Sequence, residues 1–252
     1  MNPTLRRHLL LGQKKFKNQY SYLLDGGNKR ININAVGTAL ATTTKGTWSL
    51  WVKPVDATPI ADQSFINFGN GDGTDSIPLY ITSAGLLASL LTDGPNKWAV
   101  DTDNAVFSDN TWSYIALVQD GVSPVLYVNG VAPAQAFSVT TDKTFWFNNL
   151  VMNNGRIGCY SLGADELFFN GNIDEVGFFN TNLSSSQILE IYNNGKPKDL
   201  KKHSANANLV SYFRVDKDIW DGTNWTVVDS KGTNNGSSVN LEESDRELND
   251  VP

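Results

Sequence analysis

Three observations predict an all-β chain folded as a two-sheet antiparallel sandwich of jelly-roll type. Apolar and polar residues alternate with period two through more than ten short stretches. Turn-forming residues punctuate them, with 28 Asn, 21 Gly and 9 Pro among 252 residues. Helical spacing is confined to a single segment. Short strands, dense turns and one short helix favour two packed sheets over a solenoid or an α/β fold.

The elements follow in order. In Lys29-Arg30-Ile31-Asn32-Ile33-Asn34, isoleucines alternate with polar residues, as in a half-buried strand. In Thr47 to Lys53, Trp48, Leu50 and Val52 share one face and Trp51 takes the other. Gln63 to Phe68, Leu79 to Thr82 and Leu86 to Leu91 continue the series. Trp112 to Gln119, the Asp120-Gly121 turn and Val125 to Val128 make the clearest hairpin, and Asn129-Gly130 supplies a second tight turn. Thr144 to Met152, Arg156 to Cys159 and Leu167 to Phe179 read as further strands. Ser184 and Gln187 form a capping box ahead of Ile188, Leu189, Ile191 and Tyr192, while Gly195 and Pro197 end the helix. That helix is expected to plug one edge or mouth of the sandwich. Leu209 to Val215 and Trp225 to Asp229 follow as two more strands.

Charge divides the chain. Residues 1–17 hold Arg6, Arg7, Lys14, Lys15 and Lys17 before any acid, a net +5 in a chain whose total is −6, so the remainder carries −11. This predicts a basic N-terminal arm over residues 1–19 and a sandwich over 20–240, in which 209–229 are accessory strands or part of the main body. The last segment, 241–252, has five acids against Arg246 and reads as a frayed acidic tail. The acidic body argues against nucleic-acid binding. No stretch approaches the ~20 apolar residues of a membrane span, and Leu9 to Leu11 is too short for a signal-peptide core. One cysteine, Cys159, excludes an intrachain disulfide, and two histidines, His8 and His203, disfavour a His-ligated metal.

Asn110 to Val118 followed by Leu126-Tyr127-Val128-Asn129-Gly130 resembles the central hairpin of laminin-G-like, concanavalin A-like domains. So does Gly171-Asn172-Ile173-Asp174-Glu175-Val176-Gly177-Phe178-Phe179 with Asn182-Leu183-Ser184 and the helix after it. Trp48 to Pro54 is similar to an early inner strand of the same family. The resemblance covers roughly residues 20–195 and implies the fold without choosing a function, because this fold hosts lectins, adhesion modules and enzymes.

Weighed residue by residue, the chemistry is sparse. Simple alternation puts Asp174 and Glu175 on opposite faces, so they cannot share a substrate and are expected to bond to nearby loop amides or cations. A sandwich glucanase would need carboxylates at i, i+2 and i+4 or i+5, but Asn172 and Val176 or Gly177 flank Asp174. Asp101 and Asp103 read as loop residues. A catalytic triad would have to use His8 or His203, neither in a cleft, and Cys159 reads as a core filler. Gly69 to Asp75 is a hairpin turn, or else a calcium rim site using Asn70, Asp72 and Asp75. Of the seven tryptophans, Trp48 and Trp112 read as core, and Trp98, Trp220 and Trp225 as the candidates for an exposed sugar-stacking face.

No catalytic, cofactor or metal site is therefore assigned. The expected function is a non-enzymatic virion component, a phage head decoration or tail fibre protein made in the host cytoplasm. It would be held by the N-terminal arm, with Leu5, Leu9 and Phe16 as anchors on virion proteins. The alternative is a carbohydrate-binding lectin module, calcium-dependent or not, that attaches to cell-surface glycans. Homo-oligomerisation is left open.

Overall fold

The computed structural model describes residues 16–252. Most of the basic arm, with its anchors Leu5 and Leu9 and with His8, lies outside the described residues.

Two antiparallel sheets face each other across one core. In the first, β1 (Tyr20–Asp25), β3 (Gly46–Pro54), β8 (Ser113–Gln119), β9 (Pro124–Val128), β14 (Asn170–Phe179), β15 (Leu209–Phe213) and β19 (Arg246–Leu248) run in the order β19-β1-β14-β3-β8-β9, with β15 also on β14. The second has ten strands: β2 (Arg30–Asn32), β4 (Gln63–Gly69), β5 (Asp75–Ile81), β6 (Leu87–Asp93), β7 (Asn96–Thr102), β10 (Gln135–Thr140), β11 (Asn154–Ile157), β16 (Ile219–Trp220), β17 (Trp225–Val227) and β18 (Gly236–Val239). Their order is β10-β7-β6-β5-β4-β11-β2-β18-β17-β16. A separate hairpin, β12 (Tyr160–Leu162) with β13 (Ala164–Glu166), lies beside β4 and β5.

Alternation sorts the side chains as expected. Trp48, Leu50 and Val52 enter the core between the sheets, where Trp48 meets Phe68, Trp146, Phe147 and Phe178 at ring separations of 5.2–6.2 Å. Trp51 points the other way, into a second apolar cluster on the outer face of the first sheet. The capped helix, here α2 (Ser185–Tyr192), covers that face and does not plug a mouth of the sandwich: Ile188 and Ile191 are buried there, and Tyr192 stacks on Trp51 at 5.9 Å. Its capping box forms, with Gln187 N–H donating to Ser184 Oγ and Ser184 N–H to Gln187 Oε1. The Asn129-Gly130 turn has both residues at positive φ, and Gly130 must lack a side chain because a Cβ there would lie 2.9 Å from Leu189 and Tyr192.

Three expectations are corrected and one left open is decided. A second helix, α1 (Asn34–Leu40), follows β2 in a chain expected to hold one; its Val36 and Leu40 enter the core. Thr144 to Met152 is not a strand but a loop around a short 3₁₀ turn at Phe147–Asn149, held by the burial of Trp146 and Phe147. The segment 209–229 extends both sheets, through β15 in the first and through β16 and β17 in the second. The acidic tail is not frayed. Leu241 is core, β19 pairs with β1, Glu242 O accepts from Trp225 Nε1–H, and Asp250 pairs with Lys53. Five acids read as a solvated end in the sequence, but cation and amide donors from distant strands hold this one in place.

Candidate functional site

With α2 on the outer face of the first sheet, the outer face of the second is left to the small β12–β13 hairpin. Cross-strand partners share a face. Tyr80 pairs with Ser64 and Ala88, Ala88 with Asp101, and Asp101 with Ala136, so these residues form one outward row. Their neighbours Leu79, Leu87 and Val100 fill the core. Asp101 is thus a strand residue of β7, not a loop residue, and it projects onto the open face.

The hairpin is fastened over this face by Asn67 Nδ2–H donating to Ser161 O at 2.9 Å. Arg30 and Arg156 both hold Asp165, at 2.7 and 3.0 Å. This brings Tyr160 opposite Tyr80. A cavity of about 220 Å³ lies between them, lined by Asp62, Ser64, Pro78, Leu90 and Leu167 as well as the two tyrosines. A wider cavity of about 480 Å³ adjoins it, sharing Asp62 and Leu167 and bounded by Asp56, Pro59 and Ile60. Leu167 stands at φ +49°, a conformation L residues seldom adopt, and Ser64 N–H donates to its carbonyl at 2.9 Å. Ile60 is fully exposed at the rim. Apolar walls with a few converging polar groups are the usual make-up of a small-molecule site.

The electrostatics here are negative. Burial, with the charges of Asp101, Asp62 and Tyr160, pushes the Tyr80 hydroxyl well above its ordinary value, and burial also raises that of Tyr160. Both tyrosines therefore stay neutral and can donate. Burial and the neighbouring Asp62 raise the Asp101 carboxyl. Asp62 Oδ1 accepts from Ser83 N–H at 2.9 Å, and among the described residues its other oxygen has no protein donor.

The residues singled out in the sequence fall elsewhere. Trp98 and Trp225 are core, their indoles donating to Phe145 O and Glu242 O at 3.1 Å, and Trp220 packs half-buried against Trp225. Trp112, expected in the core, is half-buried just ahead of β8, with Lys53 over its ring. The tyrosines that line the cavity were missed, although Tyr80, between inward Leu79 and Ile81, is outward by simple alternation. In the Gly69–Asp75 turn, Asn70 Oδ1 accepts from the N–H groups of Gly73, Thr74 and Asp75, Asp72 Oδ1 from Thr74, and Asp75 Oδ2 from Val151 N–H. Backbone donors of the turn and of Val151 occupy these oxygens, which is the hairpin reading rather than the calcium one. His203 is buried with Nε2 at Gln187 O and Nδ1 accepting from Ala205 N–H, and burial pushes the Cys159 thiol up to about 12, so both are structural.

Asp174 and Glu175 depart from the expected alternation. A β-bulge lies between Asp174 and Gly177, where Glu175 takes φ +53°. The extra residue turns Glu175 to the same outer side as Asp174, while Ile173 and Val176 both face the core. The bulge sits where β14 changes edge partner from β1 to β15. Asp174 accepts from Asn18 Nδ2–H at 2.6 Å, Glu175 accepts from the Tyr212 hydroxyl, and Arg214 lies 3.8 Å from Glu175. The carboxylates thus bond to a loop amide and a cation, as their structural reading expected, beneath Phe16, over whose ring Arg214 sits at 4.6 Å.

This architecture defines an all-β sandwich of the concanavalin A-like class. Residues 25–189 match the profile of the concanavalin A-like lectin/glucanases superfamily, in its laminin-G form, and the chain belongs to that family. No curated protein matches its sequence. Among solved structures, the CBM40 of Ruminococcus gnavus IT-sialidase is 20% identical, with a TM-score of 0.58 over 69% of this chain and 96% of that one. A putative carbohydrate binding protein from Bacteroides ovatus is 20% identical, with a TM-score of 0.60 over 88% of this chain and 58% of that one. The same Ruminococcus gnavus module has been solved bound to α2,6-sialyllactose, at TM-score 0.57, 20% identity and coverage of 70% and 97%. At these identities the likeness is one of fold.

Proposed function

We propose that this chain is a non-catalytic carbohydrate-binding module that holds its glycan in the Tyr80–Tyr160 cavity. The observation that carries the reading is the pairing, on the open sheet face of a lectin-family sandwich, of two half-buried tyrosines with the acceptors Asp62 and Asp101. Aromatic faces cover the C–H face of a sugar ring, and carboxylates accept from its hydroxyls. The solved neighbours named for carbohydrate binding support this reading over the virion component expected first. Tyr80→Ala and Tyr160→Ala are each expected to weaken glycan binding by more than about tenfold, the effect of removing a buried aromatic anchor. Calorimetric titration with oligosaccharides that bind on a glycan array checks this, and unchanged affinity in both variants would move the site elsewhere.

The virion setting is a separate proposal and is compatible with sugar binding. Its support is the basic arm and the single cysteine of a chain without disulfides. Mass spectrometry of purified particles tests it: the chain should be present in stoichiometric copies, and its absence would end the proposal.

A further inference from the structure

We infer that the cavity selects neutral saccharides and rejects glycans carrying a carboxylate at the bound sugar. The inference rests on the carbohydrate-binding reading and adds the chemical class of the ligand. Every charged side chain at the two joined cavities is acidic, Asp56 and Asp62 in the lining and Asp101 facing Tyr80, and the lining holds no Lys or Arg. The cations on the hairpin side of this face, Arg30 and Arg156, are already engaged by Asp165 at 2.7 and 3.0 Å. A carboxylate ligand needs fork-shaped or point cationic donors, and here it would meet half-buried carboxylates of its own sign. A neutral sugar offers what the site lacks. Its hydroxyl groups donate to Asp62 and Asp101, which as carboxylates only accept, and its ring oxygens take the neutral hydroxyls of Tyr80 and Tyr160. The likeness to a sialyllactose-bound module therefore extends to the fold and not to the ligand charge.

The test is a glycan array of matched pairs, each neutral oligosaccharide beside its sialylated form, followed by titration of the hits at low and high salt. Neutral members should bind, and their terminally sialylated partners should bind at least tenfold more weakly. The gap should narrow at 1 M salt and in the Asp62→Asn, Asp101→Asn double variant, because screening or removing the like charge relieves the repulsion. Sialylated glycans binding as well as their neutral partners would overturn the neutral-ligand inference and leave the binding reading standing. Silence across the whole array would overturn the binding reading, and this inference with it.

Discussion

Replacing Arg214 by alanine should destabilise the protein by about 3–5 kcal/mol at pH 8 and by much less at pH 5. Removing one partner of a buried charge cluster leaves the others uncompensated, a loss of that order. Asp174 and Glu175 are fully buried in the bulge, 0% and 4% exposed, and Arg214, itself 8% exposed, is the cation beside them. The same guanidinium covers Phe16 and pairs with Asp216 at 3.3 Å, so the truncation also loosens the start of β1. At pH 5 the carboxyl groups can take up protons instead of standing as unpaired anions, so the loss shrinks. Urea midpoints at the two pH values measure the difference, and an equal loss at both would mean that packing, not charge, is what Arg214 contributes.

Stability should fall as the pH rises from 5.5 to 9. Burial is the largest cause raising Asp174 and Glu175 well above ordinary carboxyl values, and the charge of Asp174 raises Glu175 further. Asp218, hydrogen-bonded to the Tyr22 hydroxyl at 2.7 Å, is raised by burial to about 6. A group whose folded value is raised binds more protons folded than unfolded, so its contribution is full below the unfolded value near 4 and fades through the folded one. For Asp218 alone the shift is worth roughly 3 kcal/mol at about 1.4 kcal/mol per unit, most of it lost between about pH 4 and 6, so that Asp174 and Glu175 carry the fall at higher pH. His203 acts in the opposite sense, because burial lowers it and its contribution is lost as the pH drops below 6.5, but it is one group against three. Glu190, lowered to about 2 while bonded to Lys198 and Ser204, matters only below pH 4.5. The melting temperature should fall from pH 5.5 to 9, by roughly 2–4 °C for each kcal/mol lost in a chain this size. Glu175→Gln should flatten the fall, since an amide keeps the acceptor for Tyr212 without the charge. A melting temperature that rose towards pH 9 would contradict the assignment.

Much of the sandwich could be read locally. The faces of β3, the β8–β9 hairpin and the cap of α2 each depend on residues within a few positions of one another, where period-two alternation, φ-tolerant turn residues and a Ser-Gln box are sufficient. The bulge also left a signature. In Ile173-Asp174-Glu175-Val176-Gly177-Phe178 the apolar spacing is three and then two, which breaks strict alternation at the place where the extra residue sits. The tryptophans misled because ring size says nothing of exposure. Trp98 enters the core because it alternates with outward residues on β7, and Trp225 because Tyr22 and Arg246 close over it.

Sequence alone therefore determined the class of fold, the two faces of its principal strands and the family motif, since each is written in short-range spacing. Tertiary structure decided which face stayed open, how the C-terminal strands and acidic tail joined both sheets, and where the binding cavity formed. Asp62, Tyr80, Leu90, Tyr160 and Leu167 come from separate stretches of chain. Only strand register and the hairpin folded across the sheet bring their side chains around one cavity, and no local pattern encodes a neighbour a hundred residues away.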